Sequence, residues 1–123
     1  MKTEFLIKAT NNLAAAQICF DNDLFDASVN RAYFAAFQAA IFALLSAGQK
    51  GGAFDHKWVQ AKFSELLIKR QKRYPARYRS YLIEMQSLRN RADYRHDSVS
   101  KNKAVIQMNK AREMVEMIEK EAG

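Results

Sequence analysis

Apolar residues dominate one stretch of the chain, DASVNRAYFAAFQAAIFALLSAG at positions 26–48. Between Ala32 and Leu45 the one clearly polar residue is Gln38, so a helix over this stretch is apolar on nearly every side. Its unbroken apolar part is about 14 residues long, which is shorter than the ~20 residues of a membrane span. The pattern therefore predicts a central helix wrapped by other helices, and no membrane partner.

Helical periodicity on both sides of this stretch predicts the helices that cover it. We expect five helices, at about 4–20, 26–48, 56–71, 75–95 and 101–122. Thr3, Asp55 and Ser100 are the expected N-caps, because a short polar side chain there accepts a hydrogen bond from a free backbone N–H. Gly48 is expected to end helix two, because a left-handed backbone costs glycine nothing. Pro75 suits the first turn of helix four, where its missing N–H has no partner in any case.

Helix five carries an apolar seam with alternating steps of four and three residues. The seam consists of Ala104, Met108, Ala111, Val115, Ile118 and Ala122. Such a seam packs inside the protein or against a second subunit, and the sequence leaves both open. No run alternates apolar and polar residues with β-branched enrichment, so no sheet is expected. The predicted fold class is therefore all-α, an antiparallel bundle of four to five helices with residues 1–123 as a single domain.

The net charge of +7 comes from the second half of the chain. Residues 1–55 carry four basic and five acidic side chains, whereas residues 56–123 carry sixteen and eight. A cationic half is typical of proteins that bind nucleic acid or another polyanion. The single cysteine and the lack of an apolar leader in MKTEFLIKATNN favour a cytoplasmic location.

Metal and nucleotide-cofactor sites find little support in the sequence. Two histidines and one cysteine supply too few ligands for a zinc or di-iron site. The chain also has neither a P-loop nor a G-x-G-x-x-G fingerprint. We therefore expect no metal and no cofactor. His56, in the first turn of helix three, is expected to be exposed or locally bonded rather than catalytic.

The stretch KRQKRYPARYR at positions 69–79 contains six basic residues and no acidic residue. The basic residues are Lys69, Arg70, Lys72, Arg73, Arg77 and Arg79, and Tyr74, Tyr78 and Tyr81 are interleaved with them. Basic side chains neutralise phosphates and tyrosine rings stack on unpaired bases, which makes the stretch a candidate RNA-binding surface. The alternative is a solvated corner between two helices in which the tyrosines simply pack.

The stretch RNRADYRHD at positions 89–97 has side chains suited to chemistry on a phosphate. On a helix, positions seven apart share a face, so Arg89 and His96 point the same way with Asp93 between them. Arg91 lies about 140° from His96 on a regular helix, which favours Arg89 as the partner of the histidine. An unwound last turn lets Arg91 compete, so both arginines stay candidates.

Such a set permits RNA cleavage without a metal. A histidine moves protons at neutral pH, and an arginine stabilises the extra negative charge of the phosphate in the transition state. The attacking group is the RNA 2′-OH, which yields a 2′,3′-cyclic phosphate, and Asp93 orients the arginine or the histidine. In the alternative interpretation Arg89 and Asp93 form an ordinary ion pair, and His96 is a cation favoured by the helix dipole.

The segment SVNRAYFAAFQAAIFALL, followed some forty residues later by LRNRADY and a last helix, resembles the HEPN superfamily (higher eukaryotes and prokaryotes nucleotide-binding). It is most similar to the small prokaryotic branch that is encoded beside minimal nucleotidyltransferases. The resemblance implies a helical bundle that dimerises and, in active members, a ribonuclease with an arginine, a polar residue after it, and a histidine beyond. Arg89, Asn90 and His96 fit this pattern, with six residues between the arginine and the histidine. Arg91 fits the spacing as well, but Ala92 follows it.

Three functions remain open from the sequence. The first is a homodimeric, metal-independent endoribonuclease with its site at the dimer interface, the toxin of a toxin–antitoxin or phage-defence pair. The second is a non-catalytic HEPN subunit that binds a nucleotide or RNA and docks a minimal nucleotidyltransferase partner. The third is a basic helical adaptor that interacts through the seam of helix five. We also expect the polar first turn of helix two, with Ser28, Asn30 and Arg31, to lie at the end of helix four. Arg31 then adds charge beside Arg89 and His96.

Overall fold

The apolar helix predicted from the sequence is the centre of the fold in the computed structural model, which describes residues 2–51, 53–94 and 98–122. The elements are α1 (Lys2–Asp21), α2 (Phe25–Ser46), α3 (His56–Lys62), a π-helix (Phe63–Arg70), α4 (Arg77–Tyr94) and α5 (Lys101–Ala122). These described residues contain no strand, which confirms the predicted all-α bundle.

The central helix α2 packs against α1, α3, α4 and α5. Small side chains let neighbouring helices approach it closely, and six of its alanines are at most 2% exposed: Ala32, Ala35, Ala36, Ala39, Ala40 and Ala43. By length and composition α2 could cross a membrane, but 72% of the window that passes this test is buried within the protein. The prediction of a core helix covered by other helices is confirmed.

Most of the predicted helix ends are confirmed. Asp55 Oδ1 accepts a hydrogen bond from Trp58 N at 2.8 Å, and Ser100 Oγ accepts one from Lys103 N at 3.2 Å. Gly48 has a φ of 89° just after α2, which is the left-handed conformation that ends a helix without strain. The N-cap predicted at Thr3 is wrong, because α1 already includes the residue before it.

The third predicted helix changes its winding halfway along. It is α-helical only to Lys62 and continues as the π-helix Phe63–Arg70, a rare geometry that is frequent at functional sites. The π-helix ends where Lys72 adopts a left-handed φ of 51°. Pro75 lies before α4 rather than in it: its carbonyl accepts a hydrogen bond from Tyr78 N at 3.1 Å, in the turn that leads into the helix.

The seam of α5 faces the interior of the protein. Its first five members are at most 3% exposed, and α5 packs against α2 and α1. These members are Ala104, Met108, Ala111, Val115 and Ile118. Of the two placements that the sequence left open, the seam packs inside its own chain. The hypothesis of an adaptor that interacts with a partner through this seam is therefore wrong.

The start of α2 and the end of α4 meet at one end of the bundle. Asp26 Oδ1 accepts a hydrogen bond from Val99 N at 2.7 Å, and Asn30 Nδ2 donates to Asp93 Oδ2 at 3.1 Å. Val29 and Val99 belong to a small apolar cluster beneath these contacts. Segment 95–97 lies outside the described residues, and on both sides of it the chain is anchored on the first turns of α2.

Candidate active site at the junction of α2 and α4

Arg31, on the second turn of α2, is held in place by two amide side chains. Its Nε and Nη2 donate to Asn30 Oδ1 at 3.2 and 2.6 Å, and its Nη1 donates to Asn12 Oδ1 at 3.2 Å. Both partners are neutral, so they orient the guanidinium group without compensating its charge. The described part of the chain offers Arg31 no carboxylate within ion-pair distance.

Arg89, on α4, packs its guanidinium group on aromatic rings of α2. Its Cζ lies 4.8 Å from the ring centroid of Phe34 and 6.0 Å from that of Tyr33, and its side chain is 19% exposed. Arg89 Nε is 3.5 Å from Asp93 Oδ2, and this buried nitrogen makes no hydrogen bond to any described residue. The ion pair is therefore a Coulombic contact rather than a hydrogen bond, and it leaves guanidinium donors for another acceptor.

Phe34 and Asn30 join the two arginines into one group, here called the arginine cluster: Asn30, Arg31, Phe34, Arg89 and Asp93. Arg31 Cζ lies 5.2 Å from the centroid of the Phe34 ring, so both arginines make a cation–π contact with this ring. Asn30 accepts from Arg31 through Oδ1 and donates to Asp93 through Nδ2. The cluster contains two guanidinium groups and one carboxylate, so it has an excess positive charge that attracts an anion.

The donor set of the arginine cluster suits a phosphate. Guanidinium and amide N–H groups outnumber the single carboxylate of Asp93, and guanidinium groups bind phosphate oxygens in pairs. Residues 2–51, 53–94 and 98–122 contain no group of three or more His, Cys, Asp or Glu side chains that could hold a metal ion. The structure thus brings together the predicted residues Arg31, Arg89 and Asp93.

The two arginines that the sequence left as alternatives lie on different faces of α4. Arg91 is exposed and lines an open groove of about 490 Å³ between α4 and α5, together with Lys103 and Gln107. Asn90 is also exposed. His96 lies outside the described residues, so its place in the site stays a prediction.

His56, the first residue of α3, is half-buried and packs against α2, on the same aromatic rings that Arg89 contacts. Its Nδ1 is 2.6 Å from the hydroxyl of Tyr33, and its ring centroid is 4.7 Å from that of Phe37 and 6.2 Å from that of Phe34. The prediction of an exposed or locally bonded histidine is therefore wrong. A signal was present in the sequence, because His56 shares a helical face with the apolar Val59.

The environment of His56 keeps its imidazole neutral. Burial lowers the pKa of His56, the positive charge of Arg89 lowers it further, and the carboxylate of Asp55 opposes both effects. Burial raises the pKa of Tyr33 above its usual range, so its hydroxyl stays protonated at neutral pH.

A protein-family model described as HEPN domain matches residues 3–121 of the 123-residue chain. The chain belongs to the HEPN family. This confirms the resemblance seen in the sequence and places the arginine cluster on a fold that serves ribonucleases and nucleotide-binding proteins. No curated protein sequence matches the chain.

In this HEPN protein the tyrosines of the basic stretch belong to the core. Tyr74 and Tyr78 are 5% and 0% exposed. They stack in a row between Phe63 and Tyr81, with successive ring centroids 5.4, 6.2 and 5.5 Å apart. Burial raises the pKa of Tyr74 to about 12. The interpretation that these two rings stack on RNA bases is wrong, because their faces are already covered.

The six cations of the basic stretch do not form one uniform patch on the HEPN bundle. Arg77 Nη2 is 2.6 Å from Glu113 Oε2, so one cation has a counter-charge that the local sequence does not show. Lys69 and Arg79 line a cleft of about 430 Å³ together with Lys57 of α3. The remaining cations, Arg70, Lys72 and Arg73, are exposed. RNA binding by the stretch stays a prediction.

Proposed function

We propose that this HEPN protein is a metal-independent endoribonuclease in which Arg89 and His96 act on the scissile phosphate. The observation that carries the proposal is the Arg89 guanidinium group, held against Phe34 and not hydrogen-bonded by Asp93. The chain on either side of segment 95–97 is anchored on the first turns of α2, through Asp93 and Val99. In the sequence, His96 lies between these two anchors.

The proposed reaction is an attack of the RNA 2′-oxygen on the adjacent phosphorus. The bond from 2′-oxygen to phosphorus forms as the bond from phosphorus to the 5′-oxygen breaks, which yields a 2′,3′-cyclic phosphate and a 5′-hydroxyl. Arg89 binds a non-bridging oxygen and stabilises its growing charge, and His96 transfers protons. Asp93 orients Arg89, Arg31 adds positive charge, and the exposed Asn90 contacts the RNA beside it.

A homodimer supplies what one chain lacks in this proposal. Cleavage needs one group to accept a proton and another to donate one, and His96 is a single such group. Two copies of the Arg89–His96 motif that meet across a two-fold axis provide both groups. We propose that the dimer is the toxin of a toxin–antitoxin or phage-defence pair in the cytoplasm. Its antitoxin is then a minimal nucleotidyltransferase, in line with the branch of the superfamily that the sequence resembles.

RNA cleavage in EDTA by the full chain tests the proposal. We expect the parent protein to cleave RNA, and His96→Ala and Arg89→Ala each to lose at least about a hundred-fold in rate. Size-exclusion chromatography with light scattering should show a dimer for all three proteins. If both variants cleave as fast as the parent, the site is assigned to the wrong residues.

The excess charge of the arginine cluster also supports a second function, because two guanidinium groups bind a phosphate whether or not a histidine assists. In that case the protein is a non-catalytic HEPN subunit that binds a nucleotide or RNA and docks a nucleotidyltransferase. It predicts nucleotide binding that Arg89→Ala weakens, with no RNA cleavage at any protein concentration. Co-purification with the product of an adjacent nucleotidyltransferase reading frame supports both functions, so the cleavage assay separates them.

A further inference from the structure

A chain of hydrogen bonds runs from α4 through α3 to the buried face of α2 and returns to α3 at His56. Gln60 Nε2 donates to Gln86 Oε1 at 2.6 Å and to the Tyr33 hydroxyl oxygen at 3.3 Å. The Tyr33 hydroxyl is in turn 2.6 Å from His56 Nδ1. We call Gln86, Gln60, Tyr33 and His56 the relay. None of these residues was a predicted site residue.

The donors and acceptors of the relay determine which nitrogen of His56 carries the proton. The Gln60 amide donates its two hydrogens to Gln86 and Tyr33, so the Tyr33 oxygen is the acceptor in the bond with Gln60. Tyr33 is 0% exposed, and the described residues offer its hydroxyl hydrogen no acceptor other than His56 Nδ1, so we assign Tyr33 as the donor and Nδ1 as the acceptor. A neutral imidazole with an acceptor at Nδ1 carries its hydrogen on Nε2. The described residues offer Nε2 no hydrogen-bond partner.

The relay lies beside Arg89. Arg89 Cζ lies 4.8 Å from the centroid of the Phe34 ring, and the centroid of the His56 ring lies 6.2 Å from the same point. The charged groups around His56 are Arg89 on α4 and Asp55 at the start of α3, and Arg89 has the larger effect. The lowered pKa of His56 agrees with an imidazole that donates through Nε2 and does not become charged.

We propose that His56 Nε2–H and the guanidinium group of Arg89 together bind one phosphate group of the RNA, with His56 as a neutral donor and not as a proton-transfer residue. This inference rests on the proposed function for the identity of the ligand. The tautomer of His56 and its position beside Arg89 follow from the relay and do not depend on the ligand. His56 thereby divides the work with His96: one histidine holds the phosphate, and the other moves protons.

The tautomer is measured directly by long-range proton–nitrogen correlation NMR of the nitrogen-15-labelled protein at about pH 7.5. The chain contains only two histidines, so the spectrum of His56→Gln assigns the two imidazoles. We expect Nδ1 of His56 to have the shift of an unprotonated acceptor and Nε2 that of a protonated nitrogen. A protonated Nδ1 overturns the proposal, because the relay then runs in the opposite direction and Nε2 is a base.

Two substitutions of His56 separate a donor from a proton-transfer group. In His56→Gln the amide nitrogen lies near the position of Nε2 and still donates. In His56→Asn the side chain reaches only the position of Nδ1, so it keeps the bond to Tyr33 and loses the outer donor. We expect His56→Asn to bind a 2′-O-methyl oligoribonucleotide about ten- to a hundred-fold more weakly than the parent, and His56→Gln to bind within about three-fold.

The matched control for this binding experiment is Tyr33→Phe, which keeps the ring and removes the hydroxyl that fixes the tautomer. It should weaken oligonucleotide binding less than His56→Asn does and raise the fraction of His56 with hydrogen on Nδ1. Equal binding by the parent, His56→Gln and His56→Asn overturns the proposal. If the parent cleaves no RNA but the Gln and Asn variants still differ in binding, the ribonuclease proposal fails and the phosphate-binding pair stands.

Discussion

Replacing Arg89 and Arg91 in parallel tests the site with two residues of the same type on the same helix. Arg89 is 19% exposed and packs on Phe34, whereas Arg91 is exposed in the groove between α4 and α5. The family pattern and the helix-face argument both favoured Arg89 as the functional arginine. The structure supports the same choice, because Arg89 and Arg31 contact one Phe34 ring. Each substitution removes one positive charge, so a general loss of charge affects both equally.

The structure sets the expected size of the two effects. Losing the cation–π contact of Arg89 with Phe34 costs about 0.5–2 kcal/mol of unfolding free energy, and losing the ion pair with Asp93 costs a few tenths more. A domain with about 5–15 kcal/mol of stability remains folded after such a loss. Losing the phosphate donor costs about 10²–10³ in cleavage rate, or about 2.7–4 kcal/mol. Arg91→Ala should change stability by less than about 0.5 kcal/mol.

The assay combines RNA cleavage in EDTA with urea unfolding of the same protein samples. Arg89→Ala should lose cleavage and remain folded, and Arg91→Ala should cleave within about three-fold of the parent. Arg89→Lys keeps the charge but not the planar fork, so it should recover stability more fully than cleavage. If Arg91→Ala abolishes cleavage and Arg89→Ala does not, the functional arginine lies in the groove and our reasoning about the arginine cluster is refuted.

Three further predictions concern stability and RNA binding. The pKa of His56 is lower in the folded than in the unfolded protein, so unfolding takes up a proton below about pH 6.5 and the unfolding free energy falls as the pH falls. His56→Gln should flatten this pH dependence in urea unfolding, and an unchanged slope contradicts the assigned environment. Ser28 Oγ donates to Ala16 O at 2.9 Å in the core, so Ser28→Ala should cost about 1 kcal/mol in chemical unfolding, and a neutral effect contradicts the importance of this contact. Arg77 is engaged by Glu113, so Arg79→Ala should reduce the salt dependence of RNA binding by about one ion and Arg77→Ala should not. Equal slopes for these two variants contradict the inference that the ion pair with Glu113 keeps Arg77 from binding RNA.

The helices could be predicted from the sequence because their signals are local. The apolar length of 26–48, the cap at Asp55 and the left-handed Gly48 each depend on residues within one or two turns. The π-helix after Lys62 was not predictable in this way, because the apolar spacing of this segment also suits an α-helix. The burial of Tyr78 was signalled by its place on the apolar face of α4 with Leu82 and Met85, whereas Tyr74 precedes α4 and has no such helical signal.

The candidate site was only partly predictable, since its contacts join distant parts of the chain. The contact of Arg89 with Asp93 is expected from their spacing of four residues on one helix. An up-and-down bundle is also expected to bring the start of α2, with Arg31, beside the end of α4. The bond between His56 and Tyr33 joins residues 23 positions apart, on two helices whose relative rotation the sequence does not reveal. The apolar Val59 on the same helical face signals that His56 is partly buried, but no local pattern indicates that its partner is Tyr33.

The most direct test of a metal-independent HEPN ribonuclease is the chemistry of the ends it produces. The protein is incubated in EDTA with an RNA of defined sequence and with the same RNA carrying a single 2′-deoxy nucleotide at the cleaved position. We predict 2′,3′-cyclic phosphate and 5′-hydroxyl ends from the RNA, and no cleavage at the 2′-deoxy position. Cleavage that continues at the 2′-deoxy position, or that appears only when a divalent metal ion is added, contradicts the account.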